Sequence, residues 1–233
     1  MHHAHEHRFP DDKSLARALA DEIRVELQEA IDARGHASLI VSGGRTPVVL
    51  FNCLAQESLA WERVTVSLAD ERWVDTQAFE SNERLVRAEL LKDRAAAAQF
   101  IGLKNAALSP EEGAHWTWRS LTRIKRPFDV VLLGMGDDGH TASLFPDSLN
   151  LKQALQRGLP PMCIAMSAPA APHARISMSL NALLDSRRII LHIQGESKWA
   201  LYRAAMEQGS VEVLPIRAVL HQQLVPVEVF WSP

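Results

Sequence analysis

Short apolar runs rich in β-branched residues alternate with helix-length amphipathic segments along almost the whole chain, and that alternation restricts the fold more than any other feature. Ser38-Leu-Ile-Val-Ser42, Val64-Thr-Val-Ser-Leu68, Phe128-Asp-Val-Val-Leu-Leu133, Cys163-Ile-Ala-Met166, Arg188-Ile-Ile-Leu-His-Ile193 and Val227-Glu-Val-Phe-Trp231 each read as a buried strand, with Phe100-Ile101 as a shorter one. Between them, apolar residues recur at helical spacing. Leu15, Ala18, Leu19, Ile23, Leu27 and Ile31 mark a helix over 14–34, stopped by Gly35. Further helices are expected over 46–55, 82–91, 110–125, 180–184 and 197–208, the third of these begun by Ser109 with Glu112 three residues on. Strands separated by helices of this length pair through crossovers rather than tight hairpins. The expected fold class is therefore α/β: a mostly parallel, Rossmann-like sheet with helices on both faces and a few peripheral strands.

No internal repeat, low-complexity linker or charge boundary divides the chain. A flexible tail is expected over 1–10 and a single α/β domain over 11–233. His2, His3, His5 and His7 crowd that tail, but nothing nearby in sequence would organise them, so no metal site is expected there. Lys plus Arg at 25 against Asp plus Glu at 28 leaves a formal charge of −3, with no basic excess to meet a nucleic-acid backbone. No stretch reaches about 18 continuous apolar residues, and the N-terminal residues lack a signal peptide's apolar core. The expectation is a cytoplasmic protein that meets no membrane. Cys53 and Cys163 sit in apolar runs without partners at metal-ligand spacing, and read as reduced core residues.

In a parallel α/β sheet, ligands bind beyond the carboxyl ends of the strands. Three unusual segments each follow a predicted strand, so the architecture would gather them at one edge. In Ser42-Gly-Gly-Arg-Thr-Pro47, Gly43 and Gly44 let the backbone approach a ligand and the following helix offers free N–H groups to an anion. Thr46 adds a hydroxyl and Arg45 a charge. The same residues equally suit a strand-to-helix turn with no ligand, and Gly-Lys-Ser/Thr of a nucleotide P-loop is absent. Leu68-Ala-Asp-Glu-Arg-Trp-Val74, with Ser81-Asn82 beyond it, is either a solvated charge run or a polar cluster. In the second case Asp70 and Glu71 flank a guanidinium, Arg72, suited to oxyanions.

The third segment is the most specific. Gly134-Met-Gly-Asp-Asp-Gly-His-Thr-Ala-Ser-Leu-Phe-Pro146 places Asp137, Asp138 and His140 in one glycine-rich turn. A histidine suits general-base work near neutral pH, and a neighbouring carboxylate fixes its tautomer or raises its basicity. The ligand set is too small for a closed metal site. Downstream, Arg175 follows an Ala/Pro-rich stretch, and Lys198 stands in the first turn of a helix, against the helix dipole. That position makes sense beside an anion.

Ser-Gly-Gly-Arg-Thr-Pro (42–47), Asp-Glu-Arg-Trp-Val (70–74) with Ser81-Asn82, the 134–146 run, Arg-Ile-Ser (175–177) and Gly-Glu-Ser-Lys (195–198) together resemble the glucosamine-6-phosphate isomerase/6-phosphogluconolactonase family, on its bacterial lactonase side. The motifs stand in family order and span nearly the whole chain. The resemblance implies hydrolysis of 6-phospho-D-glucono-1,5-lactone to 6-phospho-D-gluconate, the second step of the oxidative pentose phosphate pathway. It implies that His140 activates the attacking water and Asp138 orients it. Gly43, Gly44 and Thr46, with Arg175 and Lys198, would hold the phosphate, and Arg72 would meet the substrate near the reacting end. Arg45, Asp70 and Gly136 count among the substrate-binding residues. No metal or organic cofactor is expected, and the only partner is the phosphorylated lactone, met by a monomer or small homo-oligomer. A lactone carbonyl is already electrophilic, so no nucleophilic serine is needed, and no Gly-x-Ser-x-Gly elbow is present.

Two positions depart from the family pattern: Arg45, where a small serine is usual, and Glu80, where aspartate is frequent. Deaminases of the family carry a glutamate five residues after the histidine; here that position is Phe145. A non-catalytic sugar-phosphate sensor is the other alternative. Its relatives join a helix-turn-helix module, whereas this chain has one helix before its first predicted strand.

Overall fold

Asp11 and Gly35 bracket the first long helix and show how local chemistry sets element bounds. In the computed structural model, which describes residues 4–167 and 172–233, α1 runs Asp12–Arg34. Asp11 caps it by accepting from the Ser14 amide at 2.8 Å, so the helix begins before its first apolar residue. Gly35 ends it in the left-handed region, where only glycine is unstrained. The remaining elements of the N-terminal half are β1 (His5–Arg8), β2 (Ala37–Val41), α2 (Val48–Leu54), β3 (Val64–Leu68), β4 (Asp70–Arg72), α3 (Asn82–Glu89), β5 (Gln99–Ile101) and α4 (Pro110–Leu121). Then follow β6 (Phe128–Leu133), α5 (Leu151–Leu155), β7 (Cys163–Met166), β8 (Arg175–Met178), α6 (Leu180–Leu183), β9 (Ser186–Gln194), α7 (Glu196–Met206), α8 (Arg217–Leu220) and β10 (Val227–Ser232). Ser109 caps α4 as expected. That helix stops at Leu121 rather than near 125, with Thr122 as its last capping residue.

Seven strands form one sheet in the order β1-β10-β9-β6-β2-β3-β5, and every pair in it is parallel. All residues of β2 and β6 are buried, so the centre of the sheet is covered on both faces, as the unbroken apolar runs require. From β2 the chain proceeds outward through β3 and β5, then returns to lay β6 on the other side of β2. Strand order thus reverses between β2 and β6. That switch point leaves a crevice at the strands' carboxyl ends, and the loops at 42–47 and 134–146 stand on either side of it.

Two expectations are corrected. The tail over 1–10 is not flexible throughout: His5–Arg8 pairs with β10 as the edge strand of the sheet. Its polar side chains find partners that only the folded chain supplies. His7 stacks on Phe230 at 4.3 Å and meets Glu228 at 2.8 Å, and Arg8 lies over Trp199. His2 and His3 lie outside the described residues. The second correction concerns only where the charged run at 70–72 stands, since of its two readings the polar cluster holds. The run is neither loop nor solvated face but a strand, β4, in a small antiparallel sheet ordered β4-β8-β7. Asp70 pairs with Ser177 and Arg72 with Arg175. Polar side chains in so short a strand carry no apolar alternation, and the partner strand is remote in sequence.

Candidate active site

The small antiparallel sheet carries the second segment to the switch point. There Ser42 donates its amide to the Leu132 carbonyl at 2.9 Å and Ala69 to that of Val41 at 2.8 Å, so the ladder continues past the strand ends. Every predicted site residue except Asp138 lines one cavity of about 260 Å³. Gly43, Gly44, Arg45 and Thr46 form one wall, Asp70 and Arg72 a second, Gly136 and His140 a third, and Arg175 and Lys198 complete it. Asn82, Asp137 and His192 line it as well.

His140 is held on three sides. Its Nδ1 lies 2.5 Å from an oxygen of Asp138, and its own amide donates to that oxygen at 3.1 Å. The Phe145 ring lies against the imidazole with centroids 4.2 Å apart. Beneath it is Gly136, where a Cβ would stand 2.1 Å from ring atoms. Any side chain there would expel the imidazole, so Gly136 is glycine for close approach. Burial alone would raise the Asp138 carboxyl, but the hydrogen bonds from His140 outweigh it and hold the group below the usual carboxylate range. An ionised Asp138 accepts from Nδ1–H and leaves Nε2 as the basic nitrogen. Nε2 has no hydrogen-bond partner among the described residues. Asp138 therefore stands behind His140, outside the cavity, as an orienting group would.

Around Asp70 the polar side chains are tightly bonded. Ser143 donates its hydroxyl to Asp70 at 2.5 Å, Arg175 lies 4.0 Å from the same carboxylate, and Asn82 donates to the Asp70 carbonyl at 2.9 Å. Arg72 donates from Nη1 to Asn82 Oδ1 at 2.8 Å and to the Glu80 carbonyl at 2.7 Å. Asn82 also packs so close to Gly43 that a Cβ on the glycine would come within 1.9 Å of Oδ1. Glu71, fully buried, underlies this cluster. It accepts from the amides of Arg72, Asn82 and Glu83 and from the Ser81 hydroxyl. Burial pushes its carboxyl up from the ordinary range against those hydrogen bonds.

Arg175 lies over Phe145, 5.0 Å from its centroid. Lys198 pairs with Asp137 at 2.7 Å, so the cation placed against the helix dipole has a carboxylate beside it. Arg45 is exposed at the cavity rim. Four cations (Arg45, Arg72, Arg175 and Lys198) face two carboxylates (Asp70 and Asp137) across the lining, an excess of positive charge suited to a phosphate dianion. Among the described residues, only His5, His7 and Glu228 bring three metal-type ligand atoms within 4.8 Å of one another. They stand outside the cavity lining.

Ser143, Ser177, Glu71 and Asn82 stand inside recognisable motifs, so their positions are legible in the sequence but their partners are not. His192 sat inside an apolar strand with nothing to distinguish it.

Three comparisons bear on what this arrangement serves. Residues 10–231 match the family model described as glucosamine-6-phosphate isomerases/6-phosphogluconolactonase. A Pseudomonas putida protein named 6-phosphogluconolactonase is 43% identical over 97% of this chain and 92% of its own length. One of the same name from Rhizobium meliloti is 42% identical over 99% of each chain. The crystal structure of a 6-phosphogluconolactonase from Shewanella baltica superposes with a TM-score of 0.96 at 50% identity, covering 99% of this chain and 98% of that one.

Proposed function

The chain belongs to the glucosamine-6-phosphate isomerase/6-phosphogluconolactonase family, and we propose that it hydrolyses 6-phospho-D-glucono-1,5-lactone to 6-phospho-D-gluconate, with His140 as the base. The observation that carries the assignment of the base is the 2.5 Å contact between Asp138 and Nδ1, which leaves Nε2 free on the cavity wall. Nε2 takes a proton from a water as that water attacks the lactone carbonyl. The guanidinium of Arg72, in the lining of the same cavity, stabilises the negative charge that develops on the carbonyl oxygen. Collapse of the tetrahedral intermediate breaks the bond to the ring oxygen. The proton on His140 passes to that oxygen as it leaves as a hydroxyl, and the new carboxylic acid ionises to solvent. Lys198, Arg175 and Arg45, with the Gly43–Thr46 turn, hold the phosphate and fix the distance to the reacting carbon.

Phe145 supports the lactonase over the deaminase reading. Its ring occupies the place beside His140 where ring-opening of an amino sugar would call for a carboxylate. No helix among the described residues is long and apolar enough to cross a membrane, which agrees with work on a soluble metabolite in the cytoplasm. The chain acts as a monomer or a small homo-oligomer. The deciding assay follows the decay of freshly generated lactone with and without protein, corrected for spontaneous opening. Acceleration is the expected result. Tight binding of 6-phosphogluconate with an unchanged decay rate would make the protein a sensor instead.

A further inference from the structure

His192 lines the cavity yet has no part in the mechanism above. Strand register fixes its place. Leu191 of β9 pairs with Leu133 of β6, Leu132 with Val41 of β2, and Val41 with Leu68 of β3. Continuing each ladder past these pairs sets His192, Gly134, Gly43 and Asp70 in one transverse row across four strand ends, on one face of the sheet. Asn82 fills the space over Gly43, whereas a Cβ on Gly134 would touch nothing within 4 Å, so the row is open beside His192. Phe230, paired with His192 and buried, closes the outer end.

The two side chains at the ends of the row differ in one respect. Asp70 is committed to Ser143 and Asn82, whereas His192 is only 3% exposed and neither of its ring nitrogens has a hydrogen-bond partner among the described residues. Buried polar groups are normally paired, and one left unpaired beside a ligand cavity calls for a partner. Burial holds the ring uncharged at neutral pH by lowering its pKa to about 4. A neutral imidazole has one donor and one acceptor. That matches a hydroxyl, which also donates and accepts, and it is a poor match for a phosphate dianion. The cations suited to phosphate stand elsewhere on the lining.

We propose that His192 is a substrate-binding residue that recognises the hydroxylated carbons of the sugar, hydrogen-bonding one ring hydroxyl of the lactone and the same hydroxyl in the product acid. The inference rests on the lactonase reading. It gives the cavity a selector for the polyol part of the substrate, separate from both the phosphate grip and the proton transfer at His140.

Kinetics and calorimetry on wild type, His192→Leu and His192→Gln test it. With leucine, KM for the lactone and Kd for 6-phosphogluconate should rise about tenfold, the weight of one hydrogen bond. Turnover at saturation should change little, and inorganic phosphate should bind as in wild type. Glutamine, which restores a donor and an acceptor, should recover most of the loss. Unchanged KM and Kd in the leucine variant would overturn the proposal. So would an equal loss of inorganic-phosphate affinity, which would put the ring at the phosphate. Should the leucine variant not fold, imidazole nitrogen resonances of wild type decide. The His192 signals should move with 6-phosphogluconate and stay fixed with inorganic phosphate, and silence with both overturns the assignment. A wild-type protein that fails to speed lactone decay defeats the lactonase reading itself. Normal decay with a silent His192 defeats only this inference.

Discussion

A carboxylate, an aromatic ring and a glycine hold the imidazole of His140, as a base requires. For the proposed base, removal and displacement should therefore look alike in the rate. His140→Ala is expected to lower lactone turnover by about 10² to 10⁴, the range for a positioned base, with 6-phosphogluconate affinity nearly unchanged. Near-normal turnover in that variant would take His140 out of its role. Gly136→Ala keeps the histidine but drives a methyl into its ring position, and displacement of about 1 Å should cost about 10² in kcat. Its thermal midpoint, measured alongside, should stay close to wild type because the loop is at the surface of the crevice. The motif in sequence named His140 and Asp138 directly. The reason for glycine at 136 is visible only in the fold, where the imidazole lies on it.

At the scale of elements, the site depends on how α3 is docked. Glu71 reaches from β4 to the first turn of α3 and accepts from four donors, so one buried carboxylate fixes both Arg72 and Asn82. Glu71→Gln replaces an acceptor oxygen by an NH₂ that faces donors. Stability should fall by about 2 to 3 kcal/mol, and turnover should fall with it because Asn82 no longer braces Arg72. Urea unfolding and lactone kinetics on one preparation check both, and a stable variant with full activity would remove Glu71 from this positioning role. The sequence left two readings of the 70–72 run open, solvated face or polar cluster. Its own residues could not choose between them, since charge is compatible with both. Pairing of β4 with β8 decides it, and that contact depends on residues more than a hundred positions apart.

Across the whole molecule, Arg188 joins the first helix to the sheet. Its guanidinium meets Glu26 at 2.8 Å, Glu22 at 2.9 Å and Glu228 at 2.8 Å, linking α1, β9 and β10. Arg188→Met should destabilise the fold by about 2 kcal/mol, less than a fully buried pair would because Glu22 and Glu26 are partly solvated. The pH dependence follows from Glu228. Burial alone would raise its carboxyl, yet hydrogen bonds from Arg188 hold it below the ordinary value of 4.5. The folded protein then binds that proton more weakly than the unfolded chain. The stabilisation is complete above about 4.5 and disappears as pH falls through the lower folded value. Acid unfolding of Arg188→Met should be flatter across that interval, and an unaltered profile would show that the arginine contributes nothing there.

Sequence by itself determined the class of fold, because most of the strands are separated by helix-length segments, the spacing that parallel crossovers need. It also brought the proposed base and its partner together, since the glycine-rich run at 134–146 confines a histidine and a carboxylate to one turn. Those are local facts, carried by neighbours in the chain. The tertiary structure decided which polar residues share a cavity, that β1 is an edge strand, and that Asp70 and Arg175 face each other. It also placed His192 beside Gly134, unpaired. Each of these depends on register between strands far apart in sequence, and register is set by the packing of the whole sheet rather than by any segment within it.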